Sequence, residues 1–258
     1  MKVIVFGNQK GGTGKTTTAI NVGDALARAG KRVLLIDLDP QGHAAVSLNQ
    51  EPDTGVTNWL TYPIFQHACL TPEVVQPWIR STRNPNLFLL PGNQTTARVQ
   101  RFLAMEEKPV NTIRDGLTPF RRMNFDFLLF DTPPSTGGLQ EMACFAADLA
   151  VIVSSLDYLS ADGVSGFVAM LKVLVHEKGW NGKLAGVLPT FYDEQTRTTR
   201  EQMANLQSAF PDQLFAPIHR ATLLREASAE GLTIFEKDPQ SRPAQEYEQL
   251  AARLGKLE

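Results

Sequence analysis

The chain has 258 residues and a net charge of −2, and 43% of its residues are hydrophobic while 20% are charged. These values are ordinary for a folded, soluble protein of one α/β domain or two small ones. No apolar run approaches the about 18 residues that a membrane-spanning helix needs. Because there is no basic excess, nucleic-acid binding would require a local patch of Lys and Arg. The only cysteines, Cys69 and Cys144, give no sign of a disulfide framework or a Cys-rich metal site and favour a reducing cytoplasm.

The chain begins with a predicted strand, a glycine-rich loop and a predicted helix. The apolar run 3–6 starts at once, with no signal-peptide pattern before it. Residues 15–29 have a helical pattern, and Gly30 stands where a C-cap glycine is expected. The loop and the start of the helix comprise Lys10, Gly11, Gly12, Thr13, Gly14, Lys15, Thr16 and Thr17.

This loop has the chemistry of a phosphate-binding loop. It fits the pattern G-x-x-x-x-G-K-[ST] with an altered spacing of the first glycine, Gly7 or Gly11. Glycines let backbone N–H groups close around phosphate oxygens, and the helix N-terminus adds a partial positive charge. Lys15 is predicted to reach the β- and γ-phosphates, and the Thr16 hydroxyl to bind Mg²⁺. The strand and helix on either side favour a nucleotide site over a chance turn.

Apolar runs alternate with amphipathic stretches along the rest of the chain. Continuous Val, Ile and Leu runs are typical of parallel strands covered on both faces, and their alternation with helices implies right-handed βαβ crossovers. The sequence therefore predicts an α/β fold with a doubly wound, mostly parallel sheet flanked by helices. The later predicted strands are residues 32–36, 86–92, 125–130, 149–153 and 184–189.

Residues 51–84 are the least regular part of the chain. They contain prolines and aromatic residues, and Trp59, Phe65 and Trp78 are predicted to be packing residues rather than a ligand box. We interpret this segment as an irregular insertion that packs on the core of a single domain spanning residues 1–258.

Aspartates follow two of the predicted strands. Asp37 and Asp39 come after residues 32–36, and Asp131 comes after residues 125–130. In open α/β sheets the binding site lies beyond the carboxyl ends of the strands. These carboxylates are therefore expected to lie near the phosphate loop. The alternative is that the aspartates are only helix caps or turn residues at the strand ends.

Lys10 adds a second lysine ahead of the glycines. The segment 8–19 resembles the deviant Walker A box of the ParA/MinD superfamily. In that family the first lysine reaches across a nucleotide-sandwich dimer to the ATP of the partner, so the resemblance implies that Lys10 acts in trans and Lys15 in cis. Two ammonium groups would offset the charge that develops on the transferred phosphoryl group. The alternative for Lys10 is an ordinary solvated lysine.

The same resemblance assigns roles to the aspartates. Asp39 is similar to the switch I aspartate that positions or activates the attacking water, and Asp37 would lie near the Mg²⁺ shell. Residues 131–135 resemble the switch II box, whose aspartate, here Asp131, holds Mg²⁺ through water. The implied reaction is hydrolysis of ATP to ADP and phosphate with Mg²⁺. It is expected to be slow and stimulated by a partner, since no obvious arginine finger follows the loop.

The resemblance covers nearly the whole chain and is weakest over 51–84. No helix-turn-helix extension stands before the first predicted strand, and in this respect the chain resembles the small, Soj-like ParA type. Members of that type position plasmids, chromosome origins or protein cargos on the nucleoid. The resemblance implies an ATP-dependent homodimer that is cytoplasmic and nucleoid-associated, with non-specific DNA and a ParB-like or other adaptor as partners and no membrane. Further ParA-like segments are residues 155–163, 186–193, 216–220 and 233–241.

DNA binding without sequence preference requires Lys or Arg directed at phosphates. The chain departs from the family here, because the usual arginines fall on Gln195 and Leu223. Solvated charges on helix faces are the alternative interpretation. The candidate DNA-binding residues are Arg197, Arg200, Arg220 and Arg225.

Other members of this fold remain alternatives. A MinD-like membrane ATPase would need a basic amphipathic C-terminal helix, whereas residues 246–258 are mixed in charge and predict a packing helix. A nitrogenase-iron-protein-like reductase would need two cluster-binding cysteines, whereas Cys69 and Cys144 are expected to be buried thiols. A small-molecule ligase or a tyrosine kinase on the same scaffold stays open, although only Tyr247 stands where such kinases carry a tyrosine cluster.

Overall fold

The computed structural model describes residues 1–62, 70–135, 138–157 and 160–257. Phe65 and Cys69 lie outside the described residues. The strands are β1 (Lys2–Gly7), β2 (Val33–Asp37), β3 (Arg80–Ser81), β4 (Leu87–Leu90), β5 (Phe127–Asp131), β6 (Leu149–Ser155) and β7 (Lys183–Thr190). They form one sheet in the order β3-β4-β2-β5-β1-β6-β7, in which β3 is antiparallel to β4 and the other neighbours are parallel.

Helices follow most of the strands. They are α1 (Lys15–Arg28), α2 (His43–Val46), α3 (Gly55–Thr61), α4 (Pro72–Val75), α5 (Thr95–Met105), α6 (Thr112–Gly116), α7 (Thr118–Arg121), α8 (Leu139–Ala146), α9 (Ser160–Lys178), α10 (Arg197–Ala209), α11 (Thr222–Ala229), α12 (Ile234–Lys237) and α13 (Arg242–Lys256). A 3₁₀ helix at Gln76–Trp78 follows α4.

The sheet is covered on both faces, which is why its strands are continuously apolar. Val3 and Val5 of β1 belong to a core cluster that includes residues of α3, α8 and α9. Ile4 and Phe6 point to the opposite face and belong to a cluster with α1 and α13. The predicted doubly wound, mostly parallel sheet is confirmed, and the six predicted strands are found within two residues of their predicted ends.

Within the segment 51–84, the described residues 51–62 and 70–84 contribute short helices and the edge strand β3, which the sequence pattern does not predict. Trp59 is fully buried, as expected of a packing residue. Its Nε1 donates to the Gly116 carbonyl at 2.9 Å, and its ring meets Phe120 edge-on at 5.4 Å between centroids. Trp78 is partly buried against the same core.

The predicted C-terminal packing helix is confirmed as α13. Its Tyr247, Leu250 and Leu254 are buried in the cluster that also contains α1 residues. Cys144 is fully buried in α8, and burial raises the pKa of its thiol well above the ordinary value. Among the helices described, none is both long and apolar enough to cross a bilayer.

Candidate nucleotide and magnesium site

The loop between β1 and α1 has the backbone shape that phosphate binding requires. Gly12 and Gly14 have φ angles of 73° and 88°, in the left-handed region that residues with a Cβ rarely adopt. Gly14 is the N-cap of α1, and its carbonyl accepts the Thr18 N–H at 2.9 Å. The N–H groups of the first turn have no acceptor within the helix, so they favour an anion at this end of the loop.

Two polar side chains hold the loop against neighbouring strands. The buried Asn8 amide donates to the Val153 carbonyl at 2.8 Å, and its Oδ1 accepts the Lys10 N–H at 2.9 Å. Thr190 at the end of β7 donates its hydroxyl to the Thr13 carbonyl at 2.8 Å. The loop is therefore anchored to β6 and β7 as well as to β1, which preorganises it for a ligand.

Lys15 is a buried ammonium within the loop. The residue is 6% exposed, and its Nζ donates to the Lys10 carbonyl at 3.1 Å. Burial lowers the pKa of this ammonium, while the carboxylates of Asp131 and Asp39 oppose the shift. An anion in the loop would compensate the lost solvation, which agrees with the predicted contact between Lys15 and a phosphate.

The carboxylates at the ends of β2 and β5 are neighbours. Asp37 and Asp131 are register partners on these adjacent strands, and both are fully buried. Asp37 accepts the backbone N–H groups of Asp39 at 3.0 Å and Ala44 at 3.2 Å. Neither carboxylate oxygen of Asp131 has a hydrogen-bond partner of ordinary geometry within the described ranges.

Burial perturbs both carboxylates in the same direction. It raises the pKa of Asp131 from the ordinary 3.8 to about 7, and the charge of Asp39 adds to this rise while Thr16 and Lys15 oppose it. Burial also raises the pKa of Asp37 well above its usual range, and the charge of Asp131 contributes further. Two buried, like-charged groups at one edge of the sheet would be stabilised by a cation.

These groups fit a magnesium ion that takes most of its ligands from phosphate and water. In residues 1–62, 70–135, 138–157 and 160–257 there is no cluster of three or more His, Cys, Asp or Glu that could hold a metal ion. Magnesium in nucleotide sites typically uses one or two protein ligands together with phosphate oxygens. The Asp131 carboxylate and the nearby Thr16 hydroxyl are suited to that arrangement.

Two adjoining cavities lie at this edge. The first, here called the phosphate pocket, has a volume of about 600 Å³ and is lined by residues 11–17, Asp39, Pro133 and Pro134, among others. The second, here called the side pocket, has a volume of about 540 Å³. Both volumes are typical of small-molecule sites. The residues common to the two linings are Gly14, Thr16, Thr17, His43 and Phe191.

Lys10 is not among the residues that line the phosphate pocket. Its side chain is 29% exposed, and its ammonium forms an ion pair with Asp157, which follows β6 in the same chain. Lys10 is thus neither buried like Lys15 nor simply solvated. Its predicted contact with the nucleotide of a second subunit stays a prediction.

The four arginines predicted to contact DNA fall into two groups. Arg197 and Arg200 are exposed on the first turn of α10, where Arg197 Nε donates to Glu201 at 2.6 Å. Arg220 and Arg225 instead line the side pocket. Of these four, the α10 pair alone therefore lies on a surface away from the linings of the two pockets.

Gln140 is a polar residue of this region that the sequence analysis did not single out. It is fully buried in α8, and its Nε2 donates to the Pro133 carbonyl at 2.9 Å and to the Asn8 carbonyl at 3.2 Å. It therefore joins the segment after β5 to the start of the phosphate loop. The feature that identifies Gln140 is a fully buried side-chain amide, and only the three-dimensional structure shows that burial.

A glycine-rich loop after β1, with carboxylates at the ends of β5 and β2 on one side of it in the sheet, defines a phosphate-loop nucleotide-binding fold. Residues 1–185 match the family AAA_31, described as an AAA domain. Chromosome-partitioning ATPase Soj of Thermus thermophilus is 36% identical over 252 residues, covering 97% of this chain and 94% of that protein. Sporulation initiation inhibitor protein Soj of Bacillus subtilis is 32% identical over 254 residues, covering 98% of each. The chain belongs to the Soj-like ParA proteins of the ParA/MinD superfamily, which confirms the resemblance.

Solved structures agree with this fold. The ATP complex of a Cyanothece McdA variant has a TM-score of 0.85 at 22% identity, covering 100% of this chain and 98% of that one. The cell division ATPase MinD of Pyrococcus furiosus has a TM-score of 0.71 at 22% identity, covering 100% and 99%. The similarity in both cases is one of fold.

Proposed function

We propose that this protein is a Mg²⁺-dependent ATPase that dimerises around ATP, binds DNA without sequence preference in the ATP state and positions a cargo. The observation that carries the proposal is one loop with a buried lysine, Lys15, and a second lysine, Lys10, beside the buried Asp131. In the described part of the chain, the carboxylate oxygens of Asp131 have no hydrogen-bond partner of ordinary geometry. The relatives named chromosome-partitioning ATPase Soj and chromosome partitioning protein ParA support a positioning ATPase. The cargo would be a plasmid, a chromosome or a protein assembly, and a ParB-like or other adaptor would stimulate hydrolysis.

ATP and Mg²⁺ are the ligands that the relatives support. Cobyrinic acid a,c-diamide synthase of Mycobacterium smegmatis is 28% identical, with a TM-score of 0.79 and coverage of 98% of this chain and 94% of that one, and was solved with an ATP analogue and magnesium. When bound, Mg²⁺ would neutralise charge on the β- and γ-phosphate oxygens. In this chain Thr16 and Asp131 would hold the ion, with Asp37 behind them.

The protein groups would then act by binding and orientation. The loop N–H groups and the Lys15 ammonium would hold the phosphates. Asp39 would orient the attacking water, and its carboxylate is itself fixed by the Gln41 N–H at 3.0 Å. Lys10 of a second copy would approach the same phosphates from outside, so a complete site would require the dimer.

Retention of the protein on a non-specific DNA duplex tests the whole proposal. At low salt we expect retention with Mg²⁺ and ATP, but little with ADP, because a dimer doubles a weak patch of cations. Light scattering under the same conditions should report a dimer with ATP. Absence of retention at low salt would contradict the DNA-binding part, and equal retention with ADP would contradict its control by ATP.

The double substitution Arg197→Ala and Arg200→Ala should weaken DNA retention without weakening nucleotide binding. Removing each cation that touches a DNA phosphate should reduce the slope of log K against log salt by about 0.9. The control is Arg121→Ala with Arg122→Ala, an exposed arginine pair at the end of α7. A salt slope that is unchanged in the α10 variant would mean that Arg197 and Arg200 are solvated charges only.

Lys10→Ala should retain nucleotide binding and lose ATP-dependent dimerisation. The reason is that the Lys10 ammonium pairs with Asp157 in its own chain, whereas Lys15 is held by the Lys10 backbone carbonyl, which alanine retains. Fluorescent-nucleotide titration and light scattering measure the two properties separately. Undiminished dimerisation of Lys10→Ala with ATP would refute the trans role.

A further inference from the structure

A hydrogen-bonded cluster of four charged or titratable side chains adjoins the side pocket, and one of its members, His219, lines that pocket. The His219 Nδ1 lies 2.6 Å from Glu246 Oε1 while the His219 backbone N–H donates to Glu246 Oε2 at 2.9 Å. On the other side of the ring, Nε2 lies 3.0 Å from Glu194 Oε1. Arg242 donates to both Glu194 and Glu246 at 2.9 Å, so the cluster closes on itself.

The His219 ring has two possible arrangements of its hydrogen bonds in this cluster. A carboxylate oxygen only accepts, so Nδ1 must carry the proton that faces Glu246. Nε2 contacts both the Glu194 carboxylate and the Arg242 guanidinium. Without a proton Nε2 accepts from Arg242, and with a proton it donates to Glu194. The ring also packs against Tyr192, whose ring centroid is 5.0 Å away.

The cluster joins the pocket wall to the segment that leads into α10. The Ile218 carbonyl accepts the Tyr192 N–H at 3.1 Å, and the Tyr192 carbonyl accepts the Arg220 N–H at 2.9 Å. Glu194 lies two residues after Tyr192 and shortly before α10 begins at Arg197. Residues 218–220 are therefore connected to the segment just before α10 by both backbone and side-chain hydrogen bonds.

An ion pair between Glu194 and Arg242 lies on the exposed side of the cluster. The Glu194 side chain is 60% exposed and that of Arg242 is 59% exposed, whereas those of His219 and Glu246 are each 14% exposed. Hydrogen bonding to Arg242 holds the pKa of Glu194 below its usual range. His219 and Glu246 thus form the buried part of the cluster, and Glu194 and Arg242 are the members in contact with solvent.

We propose that His219 is a positioning residue that couples occupancy of the side pocket to the first turn of α10, by exchanging its Nε2 contact between Arg242 and Glu194. This inference rests on the proposed function, since it takes the side pocket to hold the nucleoside part of ATP. It adds a route by which a bound nucleotide would alter the presentation of Arg197 and Arg200. The arrangement in which Nε2 donates to Glu194 has one more proton on the ring than the other, and that proton comes from solvent, which reaches Glu194 and Arg242 on the exposed side of the cluster. The coupling requires no movement of the sheet.

Amide hydrogen exchange tests the coupling without DNA. In the unmodified protein, a non-hydrolysable ATP analogue with Mg²⁺ should change exchange at residues 194–200 by about tenfold, an ordinary size for coupling between two sites. Residues 10–17 provide an internal control, because they should be protected by the nucleotide directly. In His219→Asn the amide still reaches Glu246 but not Glu194, so protection at 10–17 should remain while the response at 194–200 is lost.

Two further variants separate coupling from simple stability. Glu194→Gln leaves the His219–Glu246 pair intact but removes the negative charge that favours a proton on Nε2, so it should also lose the response, and it replaces His219→Asn if that variant does not fold. Glu248→Gln, on the same helix as Glu246 but exposed, should behave as the unmodified protein. Two outcomes would overturn the inference alone. One is a full change of amide exchange at 194–200 in both His219→Asn and Glu194→Gln. The other is no change there in the unmodified protein while residues 10–17 are protected. No protection at 10–17 in the unmodified protein would overturn the proposed nucleotide site, and the inference with it.

Discussion

Lys15→Met should lower kcat/KM for ATP hydrolysis by about 10²–10³-fold, the usual cost of removing one preorganised donor from a buried site. The Lys15 ammonium is desolvated, and its hydrogen-bond acceptor within the described residues is a carbonyl, that of Lys10. It is therefore poised for a phosphate rather than satisfied by the protein. Methionine keeps the apolar stem, so the fold should tolerate the change. Steady-state phosphate release and nucleotide titration measure the effect.

The matched control is Lys31→Met, beyond the other end of α1. Lys31 is exposed and lines neither the phosphate pocket nor the side pocket. Its replacement should leave kcat/KM unchanged and alter the melting temperature little. Because burial disfavours the Lys15 ammonium, Lys15→Met should melt no lower than the unmodified protein without nucleotide. Near-normal turnover in Lys15→Met would remove this residue from the proposed mechanism.

The part of the fold that could be predicted is the part with local signals. Strands buried on both faces give continuous apolar runs, so β1 and the other parallel strands were identified from composition alone. The phosphate loop was identified because its glycines and Lys15 must occur together in one short segment. In contrast, β3 has two residues, Arg80 and Ser81, which is too short for any periodic pattern.

The part of the site that could not be predicted depends on contacts between distant segments. The register that pairs Asp37 with Asp131 follows from the strand order, which composition does not give. The ion pair of Lys10 with Asp157 joins residues separated by 147 positions. The sequence pattern of α11 likewise does not show that Arg225 lines the side pocket, and its contact with DNA stays a prediction. Long-range packing therefore decides contacts that the sequence pattern leaves open.

Asp131→Asn should stabilise the nucleotide-free protein at pH 8 while abolishing Mg²⁺-dependent hydrolysis. The pKa of Asp131 is raised from 3.8 to about 7 in the folded protein, chiefly by burial. Between these values the folded protein binds more protons at this site than the unfolded chain, so the free energy of unfolding falls as pH rises. The ionised Asp131 therefore lowers the free energy of unfolding by on the order of 4 kcal/mol above about pH 7. A buried asparagine still lacks a partner, so the expected gain is about 2 kcal/mol.

Denaturant unfolding at pH 8 and at pH 5 measures this gain, which should shrink at the lower pH because Asp131 is then protonated in the fold. Asp126→Asn, just before the start of β5 and exposed, is the control and should give no such gain. With Mg²⁺ and ATP, the unmodified protein should become more stable than Asp131→Asn. The reason is that the cation offsets the buried charge of Asp131 in the unmodified protein, whereas the variant has no carboxylate to bind it. If Asp131→Asn is less stable than the unmodified protein at pH 8 without nucleotide, the buried Asp131 carboxylate does not destabilise the fold, and the prediction is wrong.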